Sequence, residues 1–142
     1  MYTNDMKQKP GFSLTEFLII GAIVALLAVA GTLMIGIERS RNRDAKRIAD
    51  MTNFAAGFAI LYAQDASYAA AAEGCATVGV LATTCKLPTL TGMESQLKDP
   101  GSYSYQVTKV PDAEDFGISF RLERPYAQYA AGTHLLTRSG IK

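Results

Sequence analysis

The sequence has one histidine, His134, and two cysteines, Cys75 and Cys85, in 142 residues. A metal centre at the cysteines would want two more good ligands, and the lone histidine is far along the chain. No glycine-rich phosphate loop, metal-ligand spacing or nucleophile motif is present. His134 with scattered Ser and Asp does not make a triad pattern and reads as a surface or core-edge residue. No enzymatic activity and no cofactor is expected. Internal repeats are absent, and so is an excess of charge of one sign: the formal net charge is +1. Strong binding to nucleic acid is therefore not supported. The length allows one domain with a modest core.

The charge is unevenly placed. Between Glu38 and Arg47, five basic residues (Arg39, Arg41, Arg43, Lys46, Arg47) stand against Glu38 and Asp44. From Ile48 onward, seven basic residues face nine acidic ones. The basic stretch reads as a solvated helix face or a contact with lipid headgroups.

What precedes it is a long apolar run. Phe17 to Ile37, "FLIIGAIVALLAVAGTLMIGI", carries no charge and no proline. It is long enough to cross a hydrocarbon core of about 30 Å as a helix. A secretory signal cut near Ala28–Gly31 is one reading, but it leaves a greasy new N-terminus and gives Glu16 no role. A plain signal anchor is another. The positive-inside rule is then awkward, because Lys7 and Lys9 precede the span and five basic residues follow it.

The residues before the run carry a third reading. "KPGFSLTE", residues 9 to 16, followed at once by the span, resembles the class III signal of type IV pilins and pseudopilins. The resemblance implies cleavage by a prepilin peptidase between Gly11 and Phe12, N-methylation of Phe12, and a filament-assembly role for Glu16. "YAQDASY" (Tyr62 to Tyr68) is similar to the family's helix end, and "LKDPGSYSY" (Leu97 to Tyr105) to its approach to the sheet; "GTHLLTRSGI" is a weaker likeness. Many members carry a proline at the position of Leu33, so Gly31 and Gly36 are the only local candidates for an unwound segment.

The resemblance implies an α+β type IV pilin fold: a long N-terminal α-helix, half in the membrane and half packed on a small antiparallel β-sheet. The organisation it implies is a leader at 1–11, a transmembrane and filament-core helix at 12–37, an amphipathic continuation at 38–64 and a small domain at 65–142. Its implied partners are other copies of the chain in a helical filament, the prepilin peptidase, an assembly ATPase, a membrane platform, and the membrane before assembly. The expected location is the bacterial cytoplasmic membrane, then an extracellular pilus or a periplasmic pseudopilus. A pseudopilin of a type II secretion system and a monomeric signal-anchored binding domain are the alternatives.

Physical chemistry gives Glu16 a reason beside the resemblance. A carboxylate within a bilayer is costly unless it is paired or snorkels. In a filament, Glu16 can meet the new amine of a neighbouring Phe12; alone, it can snorkel at the interface.

Beyond Ile37 the pattern becomes amphipathic. Ile48, Met51, Ala55, Phe58 and Tyr62 form a stripe, with Phe54 and Leu61 adjoining, and Arg39, Arg43, Lys46 and Asp50 largely off it. One helix is expected from about Phe12 to Gln64. From Asp65 the chain is small, Gly- and Thr-rich, and loop-like. Cys75 and Cys85 in such an exported region most simply form a disulfide, with free thiols the alternative. Strands are expected at Tyr103–Val110 and Phe116–Glu123, with a third near His134–Arg138. The acidic turn between the first two holds Asp112, Glu114 and Asp115. Carboxylates suit calcium, but the ligand spacing does not, and a solvated turn is the better reading.

Overall fold

The computed structural model describes Gly11, residues 13–93 and residues 95–142. A single helix, α1, runs from Leu14 to Asp65. Four strands follow: β1 (Gln106–Lys109), β2 (Gly117–Leu122), β3 (Gly132–Thr137) and β4 (Gly140–Ile141). They form one antiparallel sheet in the order β1-β2-β3-β4. The class is α+β, a long N-terminal helix with a small antiparallel sheet, as expected.

The chain divides into two units, Met1–Ile37 and Glu38–Lys142. In the first, every described residue of the helix is exposed. In the second, the rest of α1 packs against the sheet. Met51, Phe54, Phe58 and Leu61 enter one core with Val107 of β1, Ile118, Phe120 and Leu122 of β2, and Leu136 of β3. Alternation along β2 sends these three side chains inward and leaves Ser119 half-buried and Arg121 exposed. Phe58 stacks on Phe116 with ring centroids 3.7 Å apart, and Tyr68 meets both edge-on.

The helix stripe is rotated from its expected course. Its buried line is Met51–Phe54–Phe58–Leu61; Ile48 and Ala55 only flank the core, and Tyr62 is 45% exposed. The helix ends at Asp65, where Ala66 takes a left-handed conformation with φ of 51°, a common way to stop a helix.

Three short 3₁₀ turns, Ala69–Gly74, Ala82–Thr84 and Pro88–Leu90, carry the chain to the sheet. On the way it covers the outer edge of β1. The Val107 amide donates to the Val80 carbonyl, the Gly79 amide to that of Val107, and the Ala82 amide to that of Tyr105. This edge is thus paired within the chain. The first strand is shorter than the expected Tyr103–Val110. Its register slips between Val107 and Lys109. The third strand starts two residues before His134, and β4 is an addition of two residues.

Candidate functional site

At the start of α1, the Ser13 amide donates to Glu16 Oε2 at 2.9 Å, and Ser13 Oγ lies 2.7 Å from Thr15 Oγ1. The Phe17 amide donates to the Ser13 carbonyl. Ser13 is therefore the N-cap, and Glu16 reaches back to its N–H, as the glutamate of a capping box does. The Ser-x-x-Glu spacing of Ser13 and Glu16 was the available signal for this contact. Gly11 is exposed. The leader with Lys7 and Lys9, the Gly11–Phe12 cleavage, the N-methylation of Phe12 and its pairing with Glu16 all rest on residues outside the described ones.

From Leu14 onward the helix displays apolar side chains without cover: Phe17 is 75% exposed, Leu26 72% and Met34 72%. The most apolar 18-residue window has a mean hydropathy of 2.7. The helix is long and apolar enough to cross a membrane, which is compatible with membrane anchoring. The single hydroxyl in its middle, Thr32, donates to the Val29 carbonyl at 2.8 Å, so it presents no unmet donor to an apolar medium. α1 continues unbroken through Gly31, Leu33 and Gly36.

The basic stretch after the span is not simply a solvated face. Arg47 and Asp44 are fully buried, and Asp50 and Asp99 are 4% and 5% exposed. Arg47 Nε and Nη2 grip the two oxygens of Asp99 at 2.6 and 3.0 Å; Nη1 donates to Asp44 Oδ1 at 2.7 Å and Glu123 Oε1 at 2.8 Å. Arg43 holds Glu123 through Nε, at 2.8 Å, and Nη2. Asp44 also accepts the amides of Glu123 and Arg124, and Asp99 that of Gly101. Asp50, expected off the stripe, accepts from Lys46 Nζ at 2.6 Å and the Tyr105 hydroxyl at 2.8 Å. Contrary to the expectation of a solvated face, Arg47 and, in part, Arg43 and Lys46 bind carboxylates of the same chain. Arg39 and Arg41 remain exposed.

These contacts set the charge states. Burial works against the Arg47 cation, but its bonds to Asp99, Asp44 and Glu123 outweigh that and hold its pKa above the usual value. Burial likewise opposes ionisation of Asp99, and Arg47 with the Gly101 amide overcomes it, so its carboxyl is held low. Hydrogen bonds from Arg43, against a smaller cost of burial and with help from Arg47, bring Glu123 to about 2. Burial, and then the bond to Asp50, push the Tyr105 phenol up. Among the described residues, no buried side-chain donor or acceptor lacks a partner. The cluster can join three segments, namely α1, the Asp99–Gly101 turn and the end of β2. It offers no unpaired group to a reacting molecule.

The expected disulfide is present: Cys75 and Cys85 are bonded. In the acidic turn, Asp112 accepts the amides of Glu114 and Asp115, Asp115 accepts those of Phe116 and Arg138, and Lys109 pairs with both aspartates. Among the described residues, no three His, Cys, Asp or Glu side chains are grouped to hold a metal ion. His134 is half-buried, with ring nitrogens 2.8 Å from the Ala130 carbonyl and 3.2 Å from that of Lys142. The role of Asp44, Asp50, Asp99 and Glu123 as partners of Arg47, Arg43 and Lys46 was not expected from the sequence. No family model, no curated protein and no solved structure matches the chain.

Proposed function

We propose that the chain is a structural subunit of a type IV pilus-like filament. It waits in the bacterial cytoplasmic membrane, is cut after Gly11 by a prepilin peptidase and methylated at Phe12, and polymerises through its N-terminal helix. An assembly ATPase and a membrane platform drive the step, and the filament lies outside the cell or, for a pseudopilin of a type II secretion system, in the periplasm. The observation that carries this reading is the run Phe17–Ile37: continuous helix, no charge, no cover within the subunit, preceded directly by "KPGFSLTE". Such a surface needs an apolar environment, either lipid or the same helix of other copies. The second unit has a core, a disulfide and an ion cluster of its own.

The capping box favours a second reading, a monomeric domain on a signal anchor. Ser13 alone accounts for the position of the Glu16 carboxylate, so a neighbouring amine is not required to explain it.

One experiment separates the two. The chain is expressed with its cognate export machinery, with and without the prepilin peptidase, and sheared surface material and membranes are analysed by mass spectrometry. The filament reading expects polymer whose subunits begin at Phe12 with one added methyl group, and full-length membrane protein when the peptidase is missing. A chain retaining Met1 to Gly11 in both strains, with no polymer, would establish the anchored monomer instead.

A further inference from the structure

The outer face of the sheet carries a feature that the filament reading does not use. Arg121 on β2 lies directly opposite Thr133 on β3, and Ser119 opposite Gln106 on β1. With Ser102, Tyr103 and Ser104 at the lip, these residues line an open concavity of about 340 Å³, within the usual range of small-ligand clefts. Two cations lie over the Tyr103 ring: the Arg47 guanidinium is 5.1 Å from its centroid and that of Arg121 is 5.2 Å. Arg47 is saturated by carboxylates. Arg121 is not: among the described residues no carboxylate is within ion-pair distance of it, and its one recorded partner is the ring. The side-chain hydroxyls of Ser102, Ser104 and Thr133 likewise have no hydrogen-bond partner among the described residues, and that of Ser119 has only the Gln106 carbonyl at 3.4 Å.

We infer that this concavity binds an acidic saccharide, its carboxylate on Arg121 and its hydroxyls among the serine and threonine side chains. A guanidinium presents a planar fork that fits a carboxylate by two parallel bonds. The aromatic ring orients that fork, so Tyr103 is a positioning residue. Next to this lip in the chain, Asp99 accepts the Gly101 amide and binds the same Arg47 whose guanidinium lies over the ring. Hydroxyl-lined walls with a single cation suit a polyhydroxylated ligand bearing one charge per unit. A nucleic acid strand would ask for several phosphate contacts along its length, and the lining of this concavity supplies one cation. The inference does not depend on polymerisation; in a filament, repeated copies would add avidity to a shallow site.

The test uses the full-length chain in detergent micelles, titrated by saturation-transfer NMR and calorimetry with trigalacturonate. Its methyl ester, inorganic phosphate and a thymidine oligonucleotide are the comparison probes. Trigalacturonate is expected to bind, and the neutral ester at least tenfold more weakly. Arg121→Gln should lose about tenfold or more, Arg121→Lys a smaller factor. Tyr103→Leu should lose roughly two- to fivefold while Tyr103→Phe retains affinity, a split that separates ring positioning from the hydroxyl. Arg138→Gln, an exposed arginine elsewhere, should change nothing, and melting curves must show every variant folded. Equal binding of the ester, phosphate binding as tight as trigalacturonate, preference for the oligonucleotide, or no binding at tens of millimolar would each overturn the inference.

Discussion

Arg47 and Asp99 stand 52 residues apart in the chain, yet both are buried and joined by two parallel bonds of 2.6 and 3.0 Å. The same guanidinium also reaches Asp44 and Glu123. Only arginine can serve all three carboxylates, because lysine has a single nitrogen and no fork. Arg47→Met strands those charges in the interior and should cost about 3–5 kcal/mol. Arg47→Lys should fall between it and the native chain. Gly101 belongs to the same arrangement: a Cβ there would lie 2.8 Å from Arg47 Nη2 and 3.2 Å from Asp99 Oδ1. Both groups are pinned, so Gly101→Ala should also destabilise. Thermal melts of the full chain in detergent, followed by near-ultraviolet circular dichroism, measure the order. An Arg47→Lys protein as stable as the native one would end the argument.

The apolar half of this architecture was legible, and the ionic half was not. The expected apolar stripe starts at Ile48. The buried face nevertheless holds one spacing of four and three residues from Ser40 through Asp44, Arg47, Met51, Phe54 and Phe58 to Leu61. Extending the apolar stripe backwards by the same steps lands on Asp44 and Arg47. What no local pattern supplies is their partners, since Asp99 and Glu123 come from a turn and a strand end far along the chain. β2 announces itself by alternation, whereas β3 has adjacent leucines and a single buried residue, and β4 has two residues and no period to read. At the N-terminus the run Phe17–Ile37 is plain in the sequence, whereas the cap rests on only two residues, Ser13 and Glu16.

The pH response follows from the same cluster. Glu123 has its carboxyl lowered to about 2 in the folded chain, against roughly 4.3 when unfolded. A depressed carboxyl stabilises the fold above the unfolded value and stops doing so as the pH falls through the folded one. Asp99 shifts in the same direction. Stability should therefore decline between about pH 5 and pH 2, and Glu123→Gln should flatten that limb. Tyr105 has the opposite sign. Its phenol is raised in the fold, so its contribution holds below about pH 10 and is lost above it. Denaturant midpoints across pH check both: an unchanged acid limb in Glu123→Gln, or an unchanged alkaline limb in Tyr105→Phe, contradicts the corresponding assignment.

Gly74 is fixed by a close approach. A Cβ on it would sit 1.7 Å from the backbone carbonyl oxygen of Thr84. Neither backbone can yield without moving the Ala69–Gly74 turn away from Ala82–Thr84, and those turns carry Cys75 and Cys85 into register. Gly74→Ala should slow disulfide formation and lower stability. Replacing both cysteines by alanine should cost about 2–3 kcal/mol from the loss of the crosslink. Thiol labelling without prior reduction reads the first effect: free thiols are expected in Gly74→Ala and none in the native chain. A fully oxidised, equally stable Gly74→Ala protein would show that the turns separate more easily than this contact implies.

Glu16 has two accounts, and one substitution divides them. As the third helical residue it accepts the Ser13 amide at 2.9 Å, a contact that requires an acceptor oxygen and not a charge. Glutamine serves that position well. Pairing with the amine of Phe12 on a neighbouring subunit requires the charge. Glu16→Gln should therefore keep the cap, insertion and cleavage but abolish polymer, because the neighbouring amine would be buried unpaired at a penalty of about 3–5 kcal/mol. Glu16→Ala loses both functions, because alanine offers no acceptor to the Ser13 amide and no charge to the amine. The quantity to measure is polymer yield relative to correctly cut, membrane-bound subunit in cells lacking the native chain. Normal polymer from Glu16→Gln with reduced yield from Glu16→Ala would make the glutamate a helix cap and remove it from the assembly mechanism. Failure of cleavage in both would assign it to recognition by the peptidase.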